Sequence, residues 1–399
     1  MSSITAVTNA KGIDGALLIE GDRIASICAA LPEGAEILDA KGAHIAPGIV
    51  DLGVFSIDKP AFIAGGITRV ALMPDQRPVL DDPGIVQRSA LAAKPDLWVH
   101  PLAAATRGLE GRELAEYAMM QRAGAKAVAT GRHWIADSGV MMKVLLYASA
   151  LDLAVITHAE DGGLTAGAVA TSGETATRLG LTSAPARAET MAIARDLALV
   201  RETGARLHFR QVTTGEGFDL IRAAKAEGLP ISCGTSPAYW MLSDIAISDF
   251  RTFGRLSPPL RSEADRLATR RAIGDGTVDI LCSSHDPRGP EAKRLPFADA
   301  EPGMAGAQTL LSFGLGLVRE KVVSMDLLFQ MLSANPSKLL NVNAGTLSLN
   351  APADIILFDP DLPWQIDGSK FVGSAGNTPF DKLPVQGRVL HTIKGGRIL

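Results

Sequence analysis

The sequence predicts an α/β fold: a (β/α)8 TIM-type barrel with a small β-sandwich formed by both termini. Two observations predict it. Strand patterns dominate both ends of the chain, whereas short apolar strands alternate with helices in the middle. Repeated strand–helix units over roughly 290 residues favour a closed parallel barrel over an open sheet. We therefore expect a sandwich from residues 1–50 together with 343–399, and a barrel from residues 51–342.

The amino-terminal strands include a hairpin, and the middle of the chain supplies strands and helices in turn. Residues 16–27 have the pattern of two strands joined at Gly21 and Asp22, a frequent hairpin turn. Apolar runs predict barrel strands over residues 66–74, 152–161, 206–214, 229–235 and 278–286. Helical periodicity, with a glycine near each carboxyl end, predicts helices over residues 112–125, 188–204 and 217–228.

Length, composition and charge limit the classes of function. The chain has 399 residues, 47% of them apolar, a net charge of −4 and three widely spaced cysteines. Because there is no basic stripe or Lys/Arg run, we expect neither nucleic acid nor a membrane surface as a partner. The start has no signal-peptide pattern, and no apolar run approaches the ~20 residues of a membrane helix. Together with the few cysteines, these features predict a cytoplasmic protein.

A functional site is expected at the carboxyl ends of the predicted strands, because barrel proteins place their chemistry there. Polar side chains occupy these ends in residues 51–55, 73–75, 158–161, 211–214, 236–239 and 283–286. His158 precedes Glu160 and Asp161, so a hydrogen bond to one of them and a structural role are expected. His285 and Asp286 form either a general-base pair or a strand-end turn. The Ser and Thr pairs at these ends lack a His–Asp partner, so no nucleophilic triad is expected.

Several stretches at and between these strand ends occur in a familiar order. They include IAPGIVDLGV, GGITRVALMPD, VITHAED, LTSAPARAETMAIARDLAL, GARLHFRQVTT, SPPLRSEADR, HDPRGPEAK and GNTPF. Together they resemble the long-chain dihydroorotases of the amidohydrolase superfamily, over essentially the whole chain. Hydantoinases and allantoinases share the PG-x-x-D opening, but the GNTPF near the tail is similar to dihydroorotases. The resemblance implies the same barrel and two-ended sandwich.

The resemblance also implies a zinc ion that activates water and polarises the substrate amide. Its first ligands follow PG-x-x-D as His-x-His, a spacing that turns both imidazoles to one face of a strand. Here those positions are Gly53 and Phe55. Glycine offers no donor atom, and phenylalanine places an apolar ring where a ligand is expected.

Most other positions that the resemblance assigns to the site are also changed. The bridging carboxylate falls at Thr130 or Gly131, while one ligand histidine is kept as His158. The remaining changed positions are Gln211 for a ligand histidine, Ser284 for the catalytic aspartate, and Ile57, Asp75 and Ser257 for substrate-binding residues. A catalytic zinc usually has three protein ligands and a water, so we expect no metal at this site.

These losses lead to the expectation of a catalytically inactive dihydroorotase homologue. The family precedent is a structural or regulatory partner of the aspartate transcarbamoylase catalytic chain in pyrimidine biosynthesis, and we expect a homodimer. Trp240, Tyr239 and Trp364 are candidate interface anchors or core residues. One alternative is a divergent active dihydroorotase, or another cyclic-amide hydrolase, with an atypical site. Another is a small-molecule sensor whose pocket is lined by Asp75, Arg261 and His158.

Overall fold

The computed structural model describes residues 4–28 and 31–399. The strands are β1 (Ile4–Thr8), β2 (Ala16–Glu20), β3 (Arg23–Cys28), β4 (Glu36–Asp39), β5 (His44–Pro47), β6 (Ile49–Val54), β7 (Ile67–Leu72), β8 (Trp98–Ala104), β9 (Ala127–Ala129), β10 (Val155–Thr157), β11 (Ala170–Thr171), β12 (Ser183–Ala184), β13 (Leu207–Phe209), β14 (Ile231–Thr235), β15 (Ile280–Leu281), β16 (Ile355–Gln365), β17 (Pro384–Lys394) and β18 (Arg397–Ile398).

The helices pack mainly around the barrel strands. They are α1 (Lys59–Ala64), α2 (Pro83–Leu91), α3 (Tyr117–Arg122), α4 (Ser138–Ala150), α5 (Gly162–Thr165), α6 (Glu174–Leu179), α7 (Arg187–Thr203), α8 (Gly215–Ala226), α9 (Pro237–Met241), α10 (Glu263–Gly274), α11 (Pro290–Lys293), α12 (Leu310–Arg319), α13 (Met325–Phe329) and α14 (Asn335–Leu339). Short 3-10 turns lie at Arg107–Leu109, Asp244–Ile247, Thr252–Gly254, Ala307–Thr309 and Gly368–Lys370, and a π-turn at Gln330–Ala334.

Eight parallel strands form the barrel, in the spatial order β6, β7, β8, β9, β10, β13, β14 and β15. Every residue of β6 and β7 is buried, as expected for parallel strands covered on both faces. A backbone hydrogen bond of 3.0 Å from Phe55 N to the carbonyl oxygen of His285 joins the ends of the first and last strands. The predicted fold class is confirmed.

The two ends of the chain form the sandwich. One four-stranded sheet has the order β3, β2, β1, β4, and the other has the order β18, β17, β16, β5. In the second sheet the early strand β5 pairs antiparallel with the late strand β16, with Ile45 opposite Leu357. The hairpin predicted at Gly21 and Asp22 joins β2 to β3. The division of the chain into domains at residues 50 and 342 stays a prediction.

A bulge in β6 decides what points into the barrel. Val50, Leu52 and Phe55 belong to the cluster that fills the lumen, whereas Val54 packs in the outer core between strands and helices. Strict alternation would put residues 52 and 54 on the same face. The pairing of β6 with β7 shifts between Leu52 and Val54, at Gly53, whose φ is +85°. This extra residue turns Phe55 into the lumen.

One expectation about local structure is wrong, and one open alternative is decided. The helix expected over residues 112–125 begins only at Tyr117, because Leu114 instead forms an antiparallel bridge with Thr106. Of the two alternatives for Tyr239 and Trp240, the structure favours the core residue, since their exposed fractions are 4% and 0%. Within residues 4–28 and 31–399, no helix combines the length and the apolarity needed to cross a membrane.

Candidate functional site

Arg210 stands at the centre of the positions that the sequence assigns to metal ligands. The residue follows the end of β13, and its side chain enters the lumen. Its Nη2 lies 3.4 Å from Nδ1 of His158, and its Nη1 donates to Oε1 of Gln211 at 3.2 Å. Its Cζ is 5.1 Å from the centre of the Phe55 ring, and its aliphatic part lies against Gly53. A guanidinium therefore lies among four of the positions that would surround a metal ion.

The charge of Arg210 has no ion-pair partner among the residues that the structure describes. The side chain is buried, and no carboxylate of the described residues lies within ion-pairing distance of it. Its Nε lacks a hydrogen-bond partner within the same residues. Burial lowers the pKa of the guanidinium from its ordinary value, while the more distant charge of Asp75 partly opposes this shift. A buried cation without a counterion favours the approach of an anion or of an atom that gains negative charge.

His158 is held by a buried carboxylate. Its Nε2 lies 3.1 Å from Oε2 of Glu160, whose other oxygen accepts a 2.6 Å bond from Nη2 of Arg261. Burial raises the pKa of Glu160, but the charge of Arg261 and the hydrogen bond from His158 outweigh it and hold the value at about 2. The ionised carboxylate requires a proton on Nε2. The lone pair of Nδ1 then faces Arg210, so the expected His158–Glu160 contact is present.

Neutral side chains occupy three more of the changed positions. Gln211 donates from Nε2 to Ser236 at 2.7 Å and accepts on Oε1 from Ser284 at 2.8 Å. Thr130 accepts a 3.1 Å bond from the backbone N of His158. These groups satisfy one another and carry no charge. They keep the ends of the strands in place without providing a carboxylate.

Four further positions lie at or near the same end of the barrel. Gly131 has a φ of +80° and lies against Asp75, which accepts a 2.9 Å bond from the backbone N of Arg132. Ser257 is exposed and lines the cavity described below, whereas Ile57 is half-buried and packs on the outer core. Among the positions that the resemblance assigns to substrate binding, Ser257 therefore faces the cavity.

His285 and Asp286 do not form a pair. His285 Nε2 lies 3.3 Å from Asp58, and its Nδ1 accepts a bond from the backbone N of Ala307. Asp286 instead binds the guanidinium of Arg132 through both oxygens, at 2.6 and 3.0 Å. Adjacent residues at a strand end point in opposite directions, so the general-base pair weighed from the sequence is wrong.

Two adjoining spaces open at this site. A cavity of about 340 Å3 is lined by His158, Glu160, Arg132, Trp134 and Ser257, among others. A smaller space of about 30 Å3 lies against Arg210, Phe55 and Ser284. Arg132 and Ser257 line both. Neither Asp75 nor Arg261 lines the larger cavity, so only His158 of the three residues proposed for a sensor pocket does.

The residues present do not fit a zinc ion. In the part of the chain that the structure describes, no three His, Cys, Asp or Glu side chains converge in a way that could hold a metal. The central position also carries the positive charge of Arg210, which repels a dication. The absence of zinc from the protein itself stays a prediction.

Sequence reasoning missed the roles of Arg210 and Arg132. The signal for Arg210 is a charged residue directly after the apolar strand β13 and directly before a ligand position. Alternation from Gln211 would turn Arg210 away from the lumen. In the structure Leu207 and Phe209 pack in the outer core, and His208 pairs with the lumen residue Ile156. Alternation along β13 therefore places Arg210 on the lumen side, and the phase taken from Gln211 is wrong.

Comparison with known proteins places the chain in a family. Residues 45–217 match the model of the dihydro-orotase-like family. The dihydroorotase of Syntrophus aciditrophicus is 35% identical, over 98% of this chain and 96% of its own. The dihydroorotase-like protein of Pseudomonas aeruginosa is 36% identical, over 96% and 94%. The structure of an L-hydantoinase (dihydropyrimidinase) from Arthrobacter aurescens superposes with a TM-score of 0.86, at 24% identity, over 100% of this chain and 96% of that one. That likeness concerns the fold.

These relatives correct the functional expectation drawn from the missing residues. Proteins named dihydroorotase match at 34–37% identity over 92–98% of the chain. They point to dihydroorotase-like function, so the expectation of an inactive homologue kept as a partner of aspartate transcarbamoylase is wrong. The expected homodimer stays a prediction. The chain belongs to the dihydroorotase-like family, on an amidohydrolase fold.

Proposed function

We propose that this chain is a divergent cyclic-amide hydrolase of the dihydroorotase type, with an atypical site that uses side chains alone. One observation carries the proposal: His158, oriented by ionised Glu160, meets the buried cation of Arg210 beside a cavity of about 340 Å3. The sequence identity to dihydroorotases over nearly the whole chain supports the substrate class. The cavity has the size of a small-molecule pocket.

The proposed reaction needs a base and a cation. A water molecule attacks the carbonyl carbon of the cyclic amide, and Nδ1 of His158 accepts its proton as the C–O bond forms. Glu160 stabilises the resulting imidazolium through Nε2–H. The guanidinium of Arg210 stabilises the negative charge on the carbonyl oxygen. The ring C–N bond then breaks, and the nitrogen takes the proton back from His158. The product is an open-chain acid, and all atoms balance.

In this proposal, the two adjoining spaces hold different parts of the substrate. The ring occupies the larger cavity, which His158 lines, and its reacting carbonyl points towards the smaller space at Arg210. Before reaction, the 3.4 Å contact between Nη2 of Arg210 and Nδ1 of His158 blocks the base. A bound carbonyl oxygen competes for the same guanidinium and frees Nδ1. Substrate binding therefore makes Nδ1 of His158 available as the base.

The test is turnover in both directions, hydrolysis of dihydroorotate and ring closure of N-carbamoyl-aspartate, with hydantoin and dihydrouracil as other cyclic amides. We expect turnover that persists after dialysis against a chelator. His158→Gln lowers kcat by about 100-fold or more, because a general base contributes about that much. His391→Gln, on the exposed part of β17, is the matched control and leaves kcat unchanged. Equal rates in wild type and His158→Gln contradict the proposal.

A second candidate is binding without turnover, favoured by the unpaired charge of Arg210. A sensor site would hold the carboxylate of a cyclic ureide against this cation. Titration calorimetry with dihydroorotate separates the two candidates. Binding that Arg210→Gln abolishes, without turnover in wild type, supports the sensor and contradicts the hydrolase.

A further inference from the structure

A second cavity lies at the opposite end of the barrel from the candidate site. Its volume is about 590 Å3, and it opens between the amino-terminal ends of the barrel strands and the sandwich. Arg69 in β7, Trp98 and His100 in β8, Lys126 just before β9, and Lys394 in β17 all line it. Nothing in the proposed reaction uses this cavity.

The lining carries an excess of positive charge. Arg69 and Lys394 share one carboxylate, that of Asp354, with distances of 2.7 Å to its two oxygens. All three side chains are at least 97% buried, so this group keeps a net charge of +1 out of water. Lys126 forms no ion pair within the described parts of the chain. Cations without enough counterions around a cavity favour an anionic ligand.

His100 lines the cavity, and one nitrogen of its ring has no hydrogen-bond partner among the described residues. The side chain is 6% exposed, and its Nε2 makes no hydrogen bond to any of the described residues. Burial lowers its pKa to about 3, assisted by the charges of Arg69, Lys126 and Lys394. His100 is therefore uncharged at neutral pH, and the positive charge of the lining comes from its arginine and lysine side chains.

The Trp98 ring contacts three cationic side chains without neutralising their charge. The guanidinium of Arg69 lies 4.4 Å from the ring centre, and the ammonium groups of Lys394 and Lys94 lie at 4.5 and 4.9 Å. An aromatic face attracts cations through its quadrupole but carries no net charge. The three groups are therefore gathered around one ring beside the cavity, and their charge remains available to a ligand.

We infer that this cavity binds a phosphate group, either as inorganic phosphate or as the phosphate of a small ester such as a nucleotide. A phosphate is small enough for the cavity and offers several acceptor oxygens to Lys126, Lys394 and Arg69. Its two negative charges match the excess positive charge better than a single carboxylate does. The site is independent of the proposed hydrolase activity.

Titration calorimetry on the full chain tests this inference with three probes: inorganic phosphate, uridine monophosphate and uridine. We expect the two phosphate-bearing probes to bind and uridine not to bind. Equal affinity for the two identifies free phosphate as sufficient, and tighter binding of the monophosphate identifies an ester as the occupant. Lys126→Gln weakens binding at least about tenfold, because it removes a charge-assisted bond.

Two controls keep the result interpretable. Lys143→Gln, on the exposed side of α4, makes the same charge change away from the cavity and leaves phosphate affinity unchanged. His158→Gln, at the other end of the barrel, also leaves it unchanged. The inference is overturned if millimolar phosphate gives no heat of binding, or if Lys126→Gln binds phosphate as tightly as Lys143→Gln. Circular dichroism establishes that the variants are folded.

Discussion

A β-carbon added to Gly53 would lie 2.9 Å from Cδ of Arg210, closer than such atoms approach in real proteins. The missing side chain of Gly53 is thus the space that the Arg210 side chain occupies. The same glycine bulge turns Phe55 into the lumen, where its ring faces two guanidinium groups, those of Arg132 and Arg210. The absence of ligand side chains at positions 53 and 55 and the presence of the Arg210 cation are therefore parts of one structural arrangement.

Replacing Gly53 by Ala is expected to destabilise the fold twice over. The φ of +85° disfavours any L side chain by about 1–2 kcal/mol, and the clash with Arg210 adds about 1–3 kcal/mol. Gly276 is the matched control, since its φ is +80° and a β-carbon there meets nothing within 4 Å. Urea denaturation measures the free energy of unfolding of both variants.

The clash can be separated from the backbone strain. In an Arg210→Ala background, Gly53→Ala should cost no more than Gly276→Ala, because the space is then empty. Equal losses for the two glycine variants in the wild-type background would show that Arg210 moves aside freely.

The purified protein is expected to hold no stoichiometric zinc, even from zinc-supplemented medium. Gly53 and Phe55 offer no donor, and Arg210 places a positive charge at the centre of the site. Elemental analysis after dialysis is the measurement. The double variant Gly53→His with Phe55→His should also stay metal-free while Arg210 is present. One equivalent of zinc per wild-type chain would refute the assignment of Arg210 to the metal position.

Glu160→Gln is expected to lower the free energy of unfolding by about 3 kcal/mol, since it removes one partner of a buried ion pair. Within residues 4–28 and 31–399, Arg261 would keep only Glu189, at 3.5 Å, as a charged partner. The exposed pair of Arg201 and Glu227, with bonds of 2.9 and 3.0 Å, provides the comparison. Glu227→Gln should cost much less, because solvent screens that pair. Similar losses in the two variants would contradict this account of Glu160.

Asp51 should make stability fall as pH rises through weakly acidic values. Burial raises its pKa to about 6, although hydrogen bonds from Ser283 oppose the shift. The folded protein therefore holds this proton more tightly than the unfolded chain. The free energy of unfolding decreases between about pH 4 and pH 6, by about 3 kcal/mol from this group alone.

The Asp51→Asn variant isolates this contribution. Its free energy of unfolding, measured with urea at several pH values across the same window, should fall less than that of wild type. Asp326→Asn, at an exposed carboxylate, should retain the wild-type slope. An unchanged slope in Asp51→Asn would mean that Asp51 is already ionised at the lower end of the window.

The sequence predicted the barrel and the sandwich because burial imposes a regular spacing of apolar residues along each strand and helix. It also located Gly53, Phe55 and His158 through a familiar pattern. It did not reveal Arg210, because the phase of alternation in β13 was taken from Gln211 and not from the outward-facing Leu207 and Phe209. The side chain's direction depends on space left by Gly53, more than 150 positions away.

The functional expectation failed for a related reason. That expectation rested on the number of metal-donor residues missing from the family's site positions, and it treated each missing residue as independent of the others. Arg210 and Glu160 show that neighbouring side chains reorganise the same space, and such contacts are long-range properties of the fold. The start of α3 was misplaced similarly, because the bridge between Thr106 and Leu114 competes with helical hydrogen bonds.

The ion pairs of Asp354 have a consequence for how the molecule unfolds. Arg69 belongs to a barrel strand, whereas Asp354 and Lys394 belong to the carboxyl-terminal end of the chain, so one buried charge cluster spans both parts. Separating the sandwich would leave the Arg69 guanidinium in the barrel wall without a counterion. The barrel and the sandwich are therefore thermodynamically linked. Thermal unfolding should be one cooperative transition in which both unfold together.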